Sequence, residues 1–259
     1  MSSNKSNKIV ISNSSESSFN ISDEIEELTF KNCGYVQSII LSDTNKLKVL
    51  KFTNCDKIDL PDNLTNLQKL FIDSETDSIV SVNKIPSNLD KLQNLYLKNC
   101  NIVNIPDNLV NITELYLNNC SLITKLPETF TKIETLAIIN CINIECIPKE
   151  YINVKNMFLS KDSFKEIPKE LVKMSLMYVL YCPNITSLPE TFTEMNELVI
   201  KNINISELPT SYSKLIYLTI ENCNNLKSIP DNYDNLTQLH VPMNDEYDYI
   251  PEKYYQFIV

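Results

Sequence analysis

The sequence predicts a β-rich repeat solenoid of the α/β type: a parallel sheet of about eleven strands joined by extended or 3₁₀-like returns. Three regularities predict it. An apolar motif recurs at a near-constant period, a proline holds one slot in almost every copy, and a cysteine holds another.

The period comes first. Leu92-Gln-Asn-Leu95-Tyr-Leu97-Lys-Asn99-Cys100 is followed by Ile112, Leu115, Leu117, Asn119, Cys120 and then by Ile133, Leu136, Ile138, Asn140, Cys141. Copies open at residues 25, 47, 67, 92, 112, 133, 154, 174, 195, 215 and 236. From residue 92 onward the step is 20 or 21 residues. Between the second and third apolar positions the chain alternates apolar and polar, as a short strand with one buried face does. Units this short cannot bury their own apolar face, so neighbours must cover it. Residues 1–24 precede the first copy and read as a polar segment and partial cap, with Ile9-Val10-Ile11 as a short edge strand; residues 25–259 form the repeat domain.

The second half of each unit reads aliphatic, Pro, two polar residues, then a large apolar one, as in Ile105-Pro106 with Leu109 or Leu208-Pro209 with Tyr212. Ten of the twelve prolines hold this slot. Proline fixes φ and has no N–H to donate, so these segments are returns rather than strands or α-helices. With one glycine in 259 residues, turns must be made by proline, asparagine and aspartate.

Seven of the eight cysteines sit at one repeat position: Cys33, Cys55, Cys100, Cys120, Cys141, Cys182 and Cys223. A small, largely apolar thiol suits an inward slot. No paired C-x-x-C occurs, so zinc binding is not indicated. Glu75, Asp162 and Ile203 replace cysteine, and Asn244 follows in the last copy. The third unit carries about five extra residues between Asp73 and Ile85, expected to bulge as a tolerated insertion.

These residues carry a resemblance. The pattern L-x-x-L-x-L-x-N-C-x-x-L-x-x-L-P-x-x-L resembles leucine-rich repeats of short units, over residues 25–259. The resemblance implies a horseshoe whose parallel sheet is concave, a binding scaffold, and an inward Asn or Cys below the turn that leaves each strand.

Composition excludes several functions. A net charge of −10 and a pI near 4.7 oppose nucleic acid and anionic membranes, and the chain has no arginine for phosphate forks. No apolar run approaches a membrane span, and the polar start does not read as a secretory signal, so a cytoplasmic setting is expected. Sequons such as Asn63, Asn111 and Asn235 read as chance in a chain rich in Asn, Ser and Thr. His240 has no paired Cys or Ser in its unit, and no phosphate loop or nucleophile elbow occurs. No enzyme activity and no cofactor are expected.

What remains is protein binding. On each strand the third, fifth and seventh motif positions project from the sheet. The fifth gathers Phe71, Tyr96, Tyr116, Phe158 and Tyr178; neighbouring columns add Ile139, Leu176, Leu180 and Tyr217. An exposed aromatic stripe marks a partner surface, although strands also favour such residues for stacking. The ends are the second candidate. Phe257 opens an incomplete copy, which predicts an uncovered core and a homodimer through the C-terminal end, opposed by Asp245, Glu246 and Asp248.

Overall fold

A computed structural model describes residues 7–76, 78–241 and 250–258. The chain divides into two compact units, residues 1–123 and 124–259. Both are β-solenoids built on a parallel ladder. In the first, the ladder runs Lys8–Ser12, Glu27–Lys31, Val49–Thr53, Lys69–Asp73, Asn94–Lys98 and Glu114–Asn118. In the second it runs Thr135–Ile139, Asn156–Ser160, Leu176–Leu180, Glu197–Lys201, Tyr217–Glu221 and Gln238–His240. Strands pair in repeat register, as with Leu95↔Leu115 and Leu97↔Leu117, so each apolar column stacks on itself. Leu28, Leu50, Leu70, Leu117, Leu136 and Leu218 are fully buried by that stacking.

What ends each strand explains the missing glycines. Among the described residues, ten non-glycine positions have φ between 52° and 57°, and each directly follows a ladder strand. Eight are asparagine, the residue that enters the left-handed region at least cost after glycine; the others are Lys161 and Tyr181. These residues keep pairing through the turn: Asn32 N–H donates to the Thr53 carbonyl and Asn54 N–H to that of Asp73, both at 2.9 Å. Gly34 is not in the left-handed region.

The returns are consecutive 3₁₀-like turns. The Pro106 carbonyl accepts from Leu109 N–H and the Leu109 carbonyl from Ile112 N–H, a pattern repeated at Pro127–Phe130–Ile133, Pro148–Tyr151–Val154 and Pro168–Leu171–Met174. Proline supplies the fixed φ that opens the first turn. Carbonyls left outside the sheet are taken up by side chains of the next copy: Asn63 Nδ2 donates to Leu41 O, Asn111 to Asp90 O and Asn235 to Ser213 O, at 2.7 to 2.9 Å. The asparagines of these sequons are thus structural. Buried tyrosines do the same, Tyr151 to Pro127 O, Tyr212 to Pro189 O and Tyr233 to Pro209 O. A large residue at that slot can therefore carry a hydroxyl without an unsatisfied polar atom.

Three expectations meet the structure here. First, the edge strand expected of the partial cap forms: Lys8–Ser12 pairs over five residues with Glu27–Lys31, and Ser18–Asn20 adds a short strand paired with Ser38–Ile40. Phe19 buries itself edge-on against Phe30, 4.9 Å between centroids. Second, Glu75 does not occupy the cysteine slot. It is exposed, while Val80 is 2% exposed and bridges Cys100 in the ladder. A glutamate in that slot would be an unpaired buried charge, so the extra residues loop out and hand the place to a valine. Asp77 lies outside the described residues, as do Asn244, Asp245, Glu246 and Asp248. Third, the C-terminal core end is covered. A 3₁₀ turn, Glu252–Phe257, buries Tyr254, whose hydroxyl donates to Pro230 O at 2.8 Å, and Ile258 bridges Leu239.

Candidate functional site

The ladder cysteines occupy a buried column behind the strands. All seven are buried free thiols, and Cys146, off the column, is exposed. Their sulfurs donate to backbone carbonyls two residues back, as Cys100 to Lys98 O at 3.3 Å and Cys182 to Leu180 O at 3.4 Å. Burial pushes the Cys55 and Cys182 thiols up to about 11, which keeps them protonated and unreactive. Asp162 does sit in this column, 4% exposed. One of its oxygens accepts from Cys141 N–H at 2.8 Å and the other from Ser160 N–H at 3.1 Å. Burial still dominates and pushes its carboxyl up to about 7, the two N–H donors opposing it. The column is structural.

The faces that the odd strand positions present are different in the two units. In the first, Phe71, Tyr96 and Tyr116 come together as a half-buried run, with Tyr96 and Tyr116 stacked at 4.1 Å and 4° and Phe71 at 5.9 Å from Tyr96. Lys51 lies 5.5 Å over Phe71, and the Asn118 amide donates to the Tyr116 hydroxyl at 3.1 Å. Charges beside the run are already matched. Glu27 takes both Lys8 and Lys51, which hold its carboxyl below the usual range, and Asp73 takes Lys98 at 3.0 Å. Tyr96 and Tyr116 turn ring faces to each other, a stack that stabilises the paired strands.

In the second unit the register sets out three rows. The first holds Thr135, Asn156, Leu176, Glu197 and Tyr217; the second Ala137, Phe158, Tyr178, Val199 and Thr219; the third Ile139, Ser160, Leu180, Lys201 and Glu221. Phe158 and Tyr178 meet edge to face at 5.1 Å. Ile139, Phe158, Leu176, Tyr178 and Leu180 are half-buried, and Tyr217 is 38% exposed. Among these side chains the Tyr178 hydroxyl donates to Glu197 Oε1. That bond, ahead of burial, pushes the Tyr178 phenol up to about 12. Lys201 and Glu221 neutralise each other at 2.6 Å. Sequence reasoning placed the six apolar residues of this face but missed Glu197, because it scored columns for apolar character alone.

Elsewhere, a groove of about 550 Å³ on the return side of the second unit is lined by Cys146, Pro148, Pro168, Lys149, Lys169 and glutamates. Among the described residues no three His, Cys, Asp or Glu gather as a metal set, and no helix is long and apolar enough to cross a membrane.

Comparison with known proteins agrees with this architecture. The profile of the BspA type leucine rich repeat region matches residues 23–145 in six copies. The chain has a leucine-rich-repeat fold. Its fold is similar to that of an internalin from Listeria monocytogenes, with a TM-score of 0.65 at 15% identity over 97% of this chain and 84% of that one. A leucine-rich-repeat protein of Leptospira interrogans aligns with a TM-score of 0.53 at 17% identity, over 89% of this chain and 63% of the other. The functional domain of the internalin InlJ from the same Listeria species, described as including a cysteine ladder, aligns with a TM-score of 0.58 at 16% identity, over 88% and 58%. This leucine-rich-repeat chain therefore spans less than two thirds of the last two. No curated protein matches it in sequence.

Proposed function

We propose that this leucine-rich-repeat chain is a non-catalytic protein-binding module whose partner seats on the strand face of the second unit. The observation that carries the reading is the cluster of Ile139, Phe158, Leu176, Tyr178, Leu180 and Tyr217, all at least partly exposed on a rigid sheet. Rigid aromatic and aliphatic side chains bury area on docking at low entropic cost, which suits an anchor surface. Phe71, Tyr96 and Tyr116 of the first unit are secondary, since their rings already stack on one another. A cytoplasmic setting accords with a column of seven free thiols, which a reducing compartment preserves. A homodimer through the C-terminal end has less support, because Tyr254 and Ile258 cover that end.

The experiment is quantitative affinity capture from cells with the wild-type chain against a folded Leu176→Asp/Leu180→Asp variant. A partner held by the first and lost by the second supports the reading. Equal recovery by both moves the site off this face.

A further inference from the structure

Glu197 opens its strand as Glu27 and Glu114 open theirs, and unlike Glu27 it takes a tyrosine hydroxyl in place of lysines. Its column neighbours by register are Leu176 on one side and Tyr217 on the other, and Tyr178 reaches it diagonally. Among the described residues it forms no ion pair, whereas the nearby Lys201 is held by Glu221 and, in the first unit, Glu27 and Asp73 are both matched by lysines. One carboxylate oxygen accepts the Tyr178 proton; among the described residues the other meets no donor. An acceptor is thus held beside the apolar side chains of Leu176, Tyr178 and Tyr217, oriented before any partner arrives.

Resting on the reading of this face as the partner surface, we infer that Glu197 is its polar anchor, and that the protein segment it receives presents a lysine or arginine beside an aliphatic or aromatic side chain. Covering the face with a purely apolar segment would strip water from an ionised carboxylate and leave it unpaired, a heavy cost. Covering it with an acidic segment would add like-charge repulsion to a chain already at −10. A cationic side chain resolves both: its donors satisfy the open oxygen, its methylenes lie along Leu176 and Tyr217, and the protein's field draws it in. A single carboxylate is too few ligands for a metal site, and the acidic surface disfavours nucleic acid. Tyr178 is a positioning residue here, because it holds the carboxylate in one orientation.

The test is selection of random displayed dodecapeptides on the immobilised full chain, followed by affinity measurement on wild type, Glu197→Gln, Tyr178→Phe and Leu176→Asp. Glutamine keeps an acceptor for the Tyr178 hydroxyl while removing the charge, and circular dichroism confirms folding. The expected result is enrichment of Lys or Arg next to Leu, Ile, Val or Phe. Affinity should fall on the order of tenfold or more with Glu197→Gln, but not for the same peptide with norleucine replacing its cation. Tyr178→Phe should weaken binding less than Glu197→Gln does. Enriched peptides that lack cations, ignore Glu197→Gln, yet are lost with Leu176→Asp overturn the inference and leave the partner surface standing. Peptides insensitive to every face variant, or no enrichment, count against both.

Discussion

At the scale of single residues, two departures from the repeat make opposite predictions. Tyr181 adopts φ 57° where eight other strand ends use asparagine, and it is half exposed, so little packing offsets the strain. Tyr181→Asn should raise stability by about 1 kcal/mol, read as a shifted urea midpoint. A loss would mean that the ring contributes contacts outweighing the backbone strain. Asp162 is the second departure. Its carboxyl is raised from the ordinary value near 3.8 to about 7, so the folded state favours the protonated form. Whatever stability this group contributes is full below pH 3.8 and is lost as pH rises through about 7. Asp162→Cys, which restores the column, should therefore gain on wild type progressively between pH 4 and 7, reaching ~1–2 kcal/mol at pH 8. A constant difference across that range would show that the carboxylate is better solvated than its burial implies. Neither effect is visible in a pattern that scores residue type alone: the strain lives in φ, and the shift in the burial of one carboxyl, which two backbone N–H donors only partly offset.

At the scale of elements, the sequence made the strands and the returns legible and hid what joins them. Period-two alternation identified each five-residue strand because every copy repeats it. Proline marked the returns because it fixes one dihedral wherever it stands. The asparagines were harder to read. In sequence they look like composition; in the fold, Asn32, Asn54 and Asn99 turn the chain, and Asn63 and Asn111 bind carbonyls of the preceding copy. Only pairing between copies about twenty residues apart reveals the second role. The same blindness explains Val80, which enters the cysteine slot by looping out its predecessors. The cysteine column offers the clearest test at this scale. Native labelling should be rapid only at Cys146, with the other seven reacting after denaturation. Cys120→Asp should cost roughly 2–4 kcal/mol, because that slot, unlike residue 162, is already filled against the Leu97 and Asn118 carbonyls, which would face the new charge. Double replacement of Tyr96 and Tyr116 by alanine should cost the first unit about 1 kcal/mol or more through the lost stack, and unchanged stability would return those rings to the list of partner contacts.

For the molecule as a whole, stability is a sum of like interfaces between successive copies, so groups that recur along the stack set its response to solvent. Two recurring groups are buried neutral acids. The thiols of Cys55 and Cys182 rise from 9 to about 11 and that of Cys223 rises with them; the phenols of Tyr212, Tyr233 and Tyr254 are also raised, in each case mainly by burial. Each is neutral in the folded chain at a pH where the unfolded chain would already have lost the proton. The unfolded state then binds fewer protons than the folded one, and stability must fall as pH rises. For the cysteines the window is given by their values: stability is complete below about pH 9, declines above it, and is exhausted for this term near pH 11. Above it the tyrosines continue the decline. Urea midpoints measured from pH 8 to 11 should therefore drop steadily. A Cys55→Ala/Cys182→Ala variant, less stable at pH 8 because it loses packing, should show a shallower slope between pH 9 and 11. Parallel slopes in the two proteins would assign the alkaline loss to the tyrosines or to breaking of lysine pairs such as Lys214–Glu194, instead of to the thiol column.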